Sequence, residues 1–318
     1  MQTAVELRLD AATGIGQGRR EHQEDAIIAD FTIGDEIGLA VLGDGMGGHA
    51  AGDVASRIAV TEVFSELKLR CDDPDRFIRY APGILRAAMR EANESIAEHV
   101  RGHAETGGMG TTLIALAVAR DRLFWVSVGD SPLFLFRDGQ LHQINEDHSL
   151  APQIDSMVRL GMLSADEARS HPDRNCLTSA LTGAEIHQID CPDRPIDLAA
   201  GDIIVAASDG LDSIDRNRLR AILAEHRRRT SAEIANVLFS ELETLADPEQ
   251  DNVCFTVIRV VAHGWQPDIR PCRPVLPNPA ERSVKRPEPA AAQRRGAGRV
   301  WSLPLAARFL LSFGRRAQ

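Results

Sequence analysis

Residues 37–49, Ile37-Gly-Leu-Ala-Val-Leu-Gly-Asp44-Gly-Met-Gly-Gly-His49, form an apolar run that stops at a carboxylate and then at glycine. A strand ending this way sets its carboxylate on the rim of a buried sheet. The pattern recurs in Ser127-Val-Gly-Asp130-Ser131 and Ala206-Ala-Ser-Asp209-Gly-Leu211, and a fourth carboxylate, Asp251, stands just ahead of the apolar run 253–261. Four like charges gathered at strand ends repel one another unless a cation joins them. Oxygen-only ligation selects a hard ion, Mn²⁺ or Mg²⁺, over zinc, which prefers His and Cys.

The apolar runs 26–29, 37–42, 112–119, 123–128, 132–136, 203–207 and 253–261 predict strands. Short turns such as Arg120-Asp121-Arg122 and Arg137-Asp138-Gly139-Gln140 join neighbours, which predicts antiparallel pairing. Several runs are apolar without alternation, so both their faces should be covered. Val60, Val63, Phe64 and Leu67 lie at helical spacing, as do Leu85, Ala88, Met89, Ala92, Ile96 and Val100. Thr230-Ser-Ala-Glu233 and Ser164-Ala-Asp-Glu167 have the form of capping boxes and predict helix starts, the second inside an otherwise irregular stretch, 145–185. Central sheets with helices outside satisfy this pattern.

Charge divides the chain at residue 262. The last fifty-six residues hold eight of the sixteen prolines and carry a formal charge of +8, leaving −18 on the rest. Residues 1–262 are therefore read as the folded domain and 263–318 as a flexible Pro/Arg-rich tail with a short apolar C-terminal segment. The tail could lie on an acidic membrane surface, dock on a partner, or simply fray. An acidic body disfavours nucleic acid as a partner and suits cations. Five cysteines without a CxxC pair, and an N-terminal stretch without the pattern of a secretory signal, lead us to expect a reducing, cytoplasmic setting.

Arg20-Glu-His-Gln-Glu24-Asp25 precedes the first predicted strand, and in an extended chain Arg20 and Glu24 would face one side. A guanidinium there could clamp phosphate oxygens in a bidentate way. His49, after the glycine-rich loop, is a candidate proton donor to a departing alkoxide, against a packing role at a helix start. No Lys-Ser/Thr follows the glycines, which disfavours a nucleotide P-loop.

Taken in order, Arg20…Glu24-Asp25, Asp44-Gly-Met-Gly-Gly-His49, Gly108-Met-Gly-Thr-Thr112, Val128-Gly-Asp130-Ser131, Asp147-His-Ser149, Ser208-Asp209-Gly210 and Asp251-Asn252 resemble the metal-dependent protein phosphatases of the type 2C (PPM) family in their bacterial form, over about residues 10–261. The resemblance implies an α+β fold, a four-layer α/β/β/α sandwich with two central antiparallel sheets. It implies two Mn²⁺ or Mg²⁺ ions, with a third at Asp130 and Asp209. Asp44 would bridge the two main ions, Asp209 and Asp251 would complete one site, and the Gly45 carbonyl and Glu24, through water, would serve the other. Asp25 would orient water, Arg20 would hold phosphate, and residues 150–183 would form a substrate-contacting flap. The implied reaction is hydrolysis of phosphoserine or phosphothreonine by direct attack of a water bridging two divalent metals. A monomer opposing a cognate Ser/Thr kinase is the expected setting. Competing readings are a catalytically weak docking module of the same fold and a hydrolase of small phosphate esters. The chain departs from the family at Gln23, at Pro132, and at Met46, where the family's histidine follows Asp-Gly.

Overall fold

The computed structural model describes residues 7–32, 35–47, 51–262 and 264–266, and the backbone of 299–302. One antiparallel sheet contains β2 (Asp25–Asp30), β3 (Ile37–Met46), β5 (Leu113–Ala119), β6 (Arg122–Val128) and β9 (Ile196–Asp197) in that order, with the short β4 (Gly110–Thr111) paired to the end of β3. The other is ordered β12 (Arg299–Ser302), β1 (Leu7–Gly16), β11 (Val253–Ala262), β10 (Ile203–Ala207), β7 (Leu133–Arg137) and β8 (Gln140–Gln143).

Strand parity explains the apolar runs. On β5, Leu113, Ala115 and Ala117 face one helical layer, while Ile114, Leu116 and Val118 face the opposite sheet. On β11, Val253, Phe255 and Val257 face the other helical layer, while Cys254, Ile258 and Val260 meet the first sheet. Three apolar layers thus alternate with two sheets, and strands covered on both faces need no polar positions.

The outer layers are α1 (Ala51–Leu69) with α2 (Pro74–Gly102), and α5 (Arg216–His226) with α6 (Ser231–Leu245). Val60, Val63 and Leu67 of α1 and Leu85, Met89 and Ile96 of α2 are buried against the first sheet. Asp73 caps α2 by accepting from the Arg76 N–H at 3.0 Å, and Pro74 opens the first turn, where a missing N–H costs nothing. Both capping boxes form: Thr230 and Glu233 start α6, and Ser164 and Glu167 start α4 (Ala165–Arg169). The β7–β8 hairpin turns through Asp138 and Gly139 at φ 51° and 78°, a backbone that its Asp-Gly pair tolerates.

Several elements differ from expectation. β1 was not anticipated, because its sequence, Leu7-Arg-Leu-Asp-Ala-Ala-Thr-Gly-Ile-Gly16, mixes polar residues and glycines into the apolar pattern. The stretch 145–185 also holds α3 (Ala151–Arg159), a nine-residue helix with Pro152 in its first turn and one buried side chain, Ile154. Within the tail, residues 299–302 pair with β1 as an outer strand.

Candidate metal centre

β2 and β3 pair so that Asp25 lies directly opposite Asp44. Directly opposed residues project from the same face. Here that face is the one carrying Ala40 and Leu42, which looks into the layer between the sheets. The two carboxylates therefore close one end of that layer. From the other sheet, β10 runs out at Ser208, whose hydroxyl donates to Asp25 Oδ2 at 2.7 Å, and Asp209 follows in a 3-10 turn. Asp251 arrives just before β11, and Asp130 just after β6 on Gly129, whose φ of 103° turns the chain.

Burial and mutual repulsion raise the proton affinities of Asp25, Asp44, Asp130 and Asp209. Asp25, 5 % exposed, is pushed up to about 7 by burial, with Asp209 and Asp251 adding to the effect. Asp130 is pushed up to about 7, by burial first and then by Asp209. Asp44 lies well above the usual carboxylate range through burial and the charges of Asp25 and Asp209. Burial raises Asp209 as well, while hydrogen bonding from Asp44 and the Arg20 charge oppose the rise. Asp25 Oδ1 and Asp209 Oδ1 are buried without a hydrogen-bond partner. Unpaired buried carboxylate oxygens are costly unless a positive charge takes them up. The donor set is oxygen throughout; the nearby Cys254 is buried, and its thiol is held protonated. The residues therefore fit a hard divalent cation. No three His, Cys, Asp or Glu side chains among the described residues already form a finished ligand cage, so a cation would have to draw them together.

Arg20 does not reach the site along an extended chain. β1 ends at Gly16 and residues 17–21 turn back: the Gln17 amide donates to the carbonyls of Arg20 and Glu21, and the Arg19 N–H donates to the Gln250 carbonyl at 2.8 Å. Gly18 sits at φ 61° with its α-carbon against the Asp251 carbonyl, where a Cβ would come within 2.1 Å. From this turn the Arg20 guanidinium pairs with Asp251 Oδ2 at 2.5 Å. The stretch 17–21 is thus not extended, as a shared facing of Arg20 and Glu24 would require, and Arg20 is paired with Asp251.

Glu24 and Gly45 do meet. The Gly45 N–H donates to the Glu24 carbonyl at 3.2 Å, and Gly52, in the first turn of α1, packs so closely that a Cβ there would lie 2.9 Å from Glu24 Oε1. His49 lies outside the described residues.

The motif residues around the carboxylates hold the frame. The Thr112 hydroxyl accepts from the Asp44 N–H at 3.0 Å, and the Thr111 hydroxyl donates to the Asp44 carbonyl at 2.9 Å. His148, 2 % exposed and kept neutral by burial, accepts from the Gly129 N–H through Nδ1 at 3.2 Å and steadies the turn into Asp130. Asn252, read in sequence only as part of a motif, ties its own stretch of chain to residues 17–24 by three hydrogen bonds: its Oδ1 accepts from the Glu24 N–H and its Nδ2 donates to the carbonyls of Gln17 and His22. Gln23 donates to the Gly16 carbonyl and accepts from the Asp25 N–H, so the departure at this position is structural. Asp212 was missed: burial pushes it up to about 6, and Asp209 and Asp147 add to the effect. Its spacing from Asp209 within a 3-10 turn has no distinct sequence signal.

Asp44, Asp130 and Asp209 open onto a cleft of about 570 Å³ whose other wall comes from residues 175–187. That wall is tied down by Arg174, which grips Asp155 of α3 through two hydrogen bonds of 2.7 and 3.1 Å, and by pairing of Leu181 with Thr111.

A family model described as "Protein phosphatase 2C" matches residues 17–245. The serine/threonine protein phosphatase PstP of Mycobacterium tuberculosis is 37% identical over 192 residues, 60% of this chain and 34% of that protein. The chain thus spans about a third of the length of PstP. The serine/threonine phosphatase stp of Listeria monocytogenes is 29% identical over 248 residues, 76% of this chain and 92% of that protein. Among solved structures, the catalytic domain of PstP in complex with two manganese ions superposes with a TM-score of 0.65 at 32% identity, covering 80% of this chain and 99% of that one.

Proposed function

The chain belongs to the protein phosphatase 2C family, and from that we propose that it is a Mn²⁺- or Mg²⁺-dependent phosphatase that hydrolyses phosphoserine and phosphothreonine in proteins. The observation that carries this reading is the group of raised, partly unpartnered aspartates at one end of the layer between the sheets, with Asp44, Asp130 and Asp209 open to the cleft walled by residues 175–187. Bound divalent cations supply positive charge for the phosphoryl oxygens and acidify water toward neutrality.

The chain's own residues do the rest. Asp44, which lies among Asp25, Asp209 and Asp130, would be the ligand common to two ions; Asp209 and Asp251 would help hold one, and the Gly45 carbonyl and Glu24 the other. Asp130 and Asp209 would hold a third, weaker ion. Asp25, with Oδ2 fixed by Ser208, offers its free Oδ1 as a proton acceptor for the attacking water. Arg20 is exposed enough to exchange Asp251 for the phosphate and grip two of its oxygens. His49 is retained as a candidate donor to the leaving alkoxide. A cognate Ser/Thr kinase in the cytoplasm would supply the substrates. The basic tail would meet a partner or an acidic membrane surface; no helix among the described residues is long and apolar enough to cross a membrane.

Phosphate release from a phosphothreonine peptide and from p-nitrophenyl phosphate, with Mn²⁺ and with EDTA, tests this. Metal-dependent cleavage of both supports it. Cleavage of the small ester alone points to a phosphate-ester hydrolase, and cleavage of neither leaves a docking module.

A further inference from the structure

A second cleft, of about 470 Å³, lies where the first half of α2 crosses the start of β6. Arg70, Arg79, Arg86 and Arg122 line it, over a floor that includes Phe124 and beside Tyr80, the chain's single tyrosine, which is 55% exposed. Four guanidiniums facing one cleft are unexpected on a body whose formal charge is −18. Asp193 is the one acidic residue in the lining.

The arginines are not all spent on neighbours. Arg86 is held in place by Asp193 and by the Cys191 carbonyl, and Arg70 pairs with Glu66 one turn back on α1. Arg122 has its nearest carboxylates, Asp121 and Asp197, only at 4.0 Å. Arg79 has no carboxylate within ion-pair distance among the described residues. The cleft therefore combines a pre-oriented guanidinium, two with charge to spare, an aromatic rim and an apolar floor. Guanidinium forks match the oxygens of a phosphate monoester, and the apolar floor suits the flanking side chains of a peptide.

Position separates this cleft from the metal centre. Arg122 opens β6 and Asp130 follows its end, so the two sites lie roughly 25 Å apart along a strand rising about 3.3 Å per residue. That exceeds the Debye length of about 8 Å at physiological salt, and the arginines act on a ligand largely free of the aspartate cluster.

We propose that the α2–β6 cleft is a docking site for a phosphorylated protein segment, distinct from the residue being hydrolysed. The choice of a phosphorylated segment over a merely acidic one rests on the phosphatase reading, under which phosphoproteins are the molecules the chain meets; the cleft's affinity for phosphate does not depend on it. A second phosphate held here would keep a multiply phosphorylated partner on the enzyme while another site is presented to the metal centre.

The test is fluorescence anisotropy with a labelled decapeptide carrying one phosphothreonine among neutral residues, in EDTA so that no turnover occurs. Wild type should bind the phosphopeptide at least about tenfold more tightly than its unphosphorylated form, and Arg79→Glu with Arg122→Glu should remove that preference. Arg79→Ala, a change at an exposed side chain, should weaken binding severalfold, and Arg20→Ala should leave it within about twofold. Equal binding by the double variant, loss of all binding in Arg20→Ala, or equal affinity for the unphosphorylated peptide would each overturn the proposal. Mn²⁺-dependent turnover of p-nitrophenyl phosphate, expected to be unchanged in the Arg79 and Arg122 variants, reports their folding. Its absence in wild type would count against the phosphatase reading and leave the binding result standing.

Discussion

Asp25 and Asp44 are register partners on one face of a β-ladder, an arrangement in which two carboxylates repel across a few Å. Asp209 joins them from the opposite sheet, and its buried Oδ1 has no partner. Such a cluster costs stability in the metal-free chain and is retained for what it binds. Asp209→Asn removes one charge from it. Turnover should fall on the order of 100-fold or more through loss of a ligand, while the melting temperature in EDTA should stay level or rise. A variant that loses activity and also melts well below wild type would mean that Asp209 is structural.

The same residues set a pH dependence. The proton affinities of Asp25 and Asp130 are raised in the fold, from ordinary carboxylate values to about 7. The folded chain then holds more protons than the unfolded one, so their contribution to stability is full below about pH 4 and is lost as pH rises through about 7. Thermal melts of the EDTA-treated protein should show this fall. Added Mn²⁺ should raise the melting temperature more at pH 8 than at pH 5.5, because protons compete with the cation for the same oxygens.

At the scale of elements, the strands place the carboxylates and the segment 150–187 shapes what reaches them. That segment has little core of its own, with Ile154 and Ala168 the buried apolar side chains of α3 and α4. The paired hydrogen bonds between Arg174 and Asp155 accordingly matter to its placement. Arg174→Ala should loosen the cleft wall, raising KM for a phosphopeptide severalfold while kcat stays within about twofold. An equal loss of kcat on p-nitrophenyl phosphate would show instead that the segment supports the metal centre. A segment like this is hard to read as helical or irregular, because α3 spans only nine residues, carries Pro152 in its first turn and buries a single side chain, Ile154.

For the whole molecule, two sheets and two helical layers hold the site, and the outer edge of one sheet depends on the tail. β1 pairs with β11 on one side and with residues 299–302 on the other. Truncation after residue 266 removes the outer strand and leaves the outward N–H and C=O groups of β1 within Ala12–Ile15 unpaired, which invites pairing between copies. The truncated chain should keep its turnover, since the proposed metal ligands all precede residue 262, and should self-associate more strongly by light scattering. A truncated chain that remains as monodisperse as the full one would show that β1 protects its own edge.

Apolar runs that end in Asp-Gly or Asp-Ser, the Asp-Asn pair ahead of the last run and the distribution of charge were sufficient by themselves to define strands covered on both faces, aspartates at the strand ends, oxygen chemistry for a hard cation and an acidic body distinct from its basic tail. Those features are local, set by side-chain period and by charge along the chain. Register, by contrast, decided that Asp25 faces Asp44, and a left-handed glycine decided that Arg20 approaches Asp251. The pairing of β1 with the tail, the three hydrogen bonds of Asn252 and the arginine cleft likewise exist only after distant stretches pack. Contacts between residues far apart in sequence are chosen by how layers bury apolar surface and satisfy backbone groups together, and no local pattern encodes that choice.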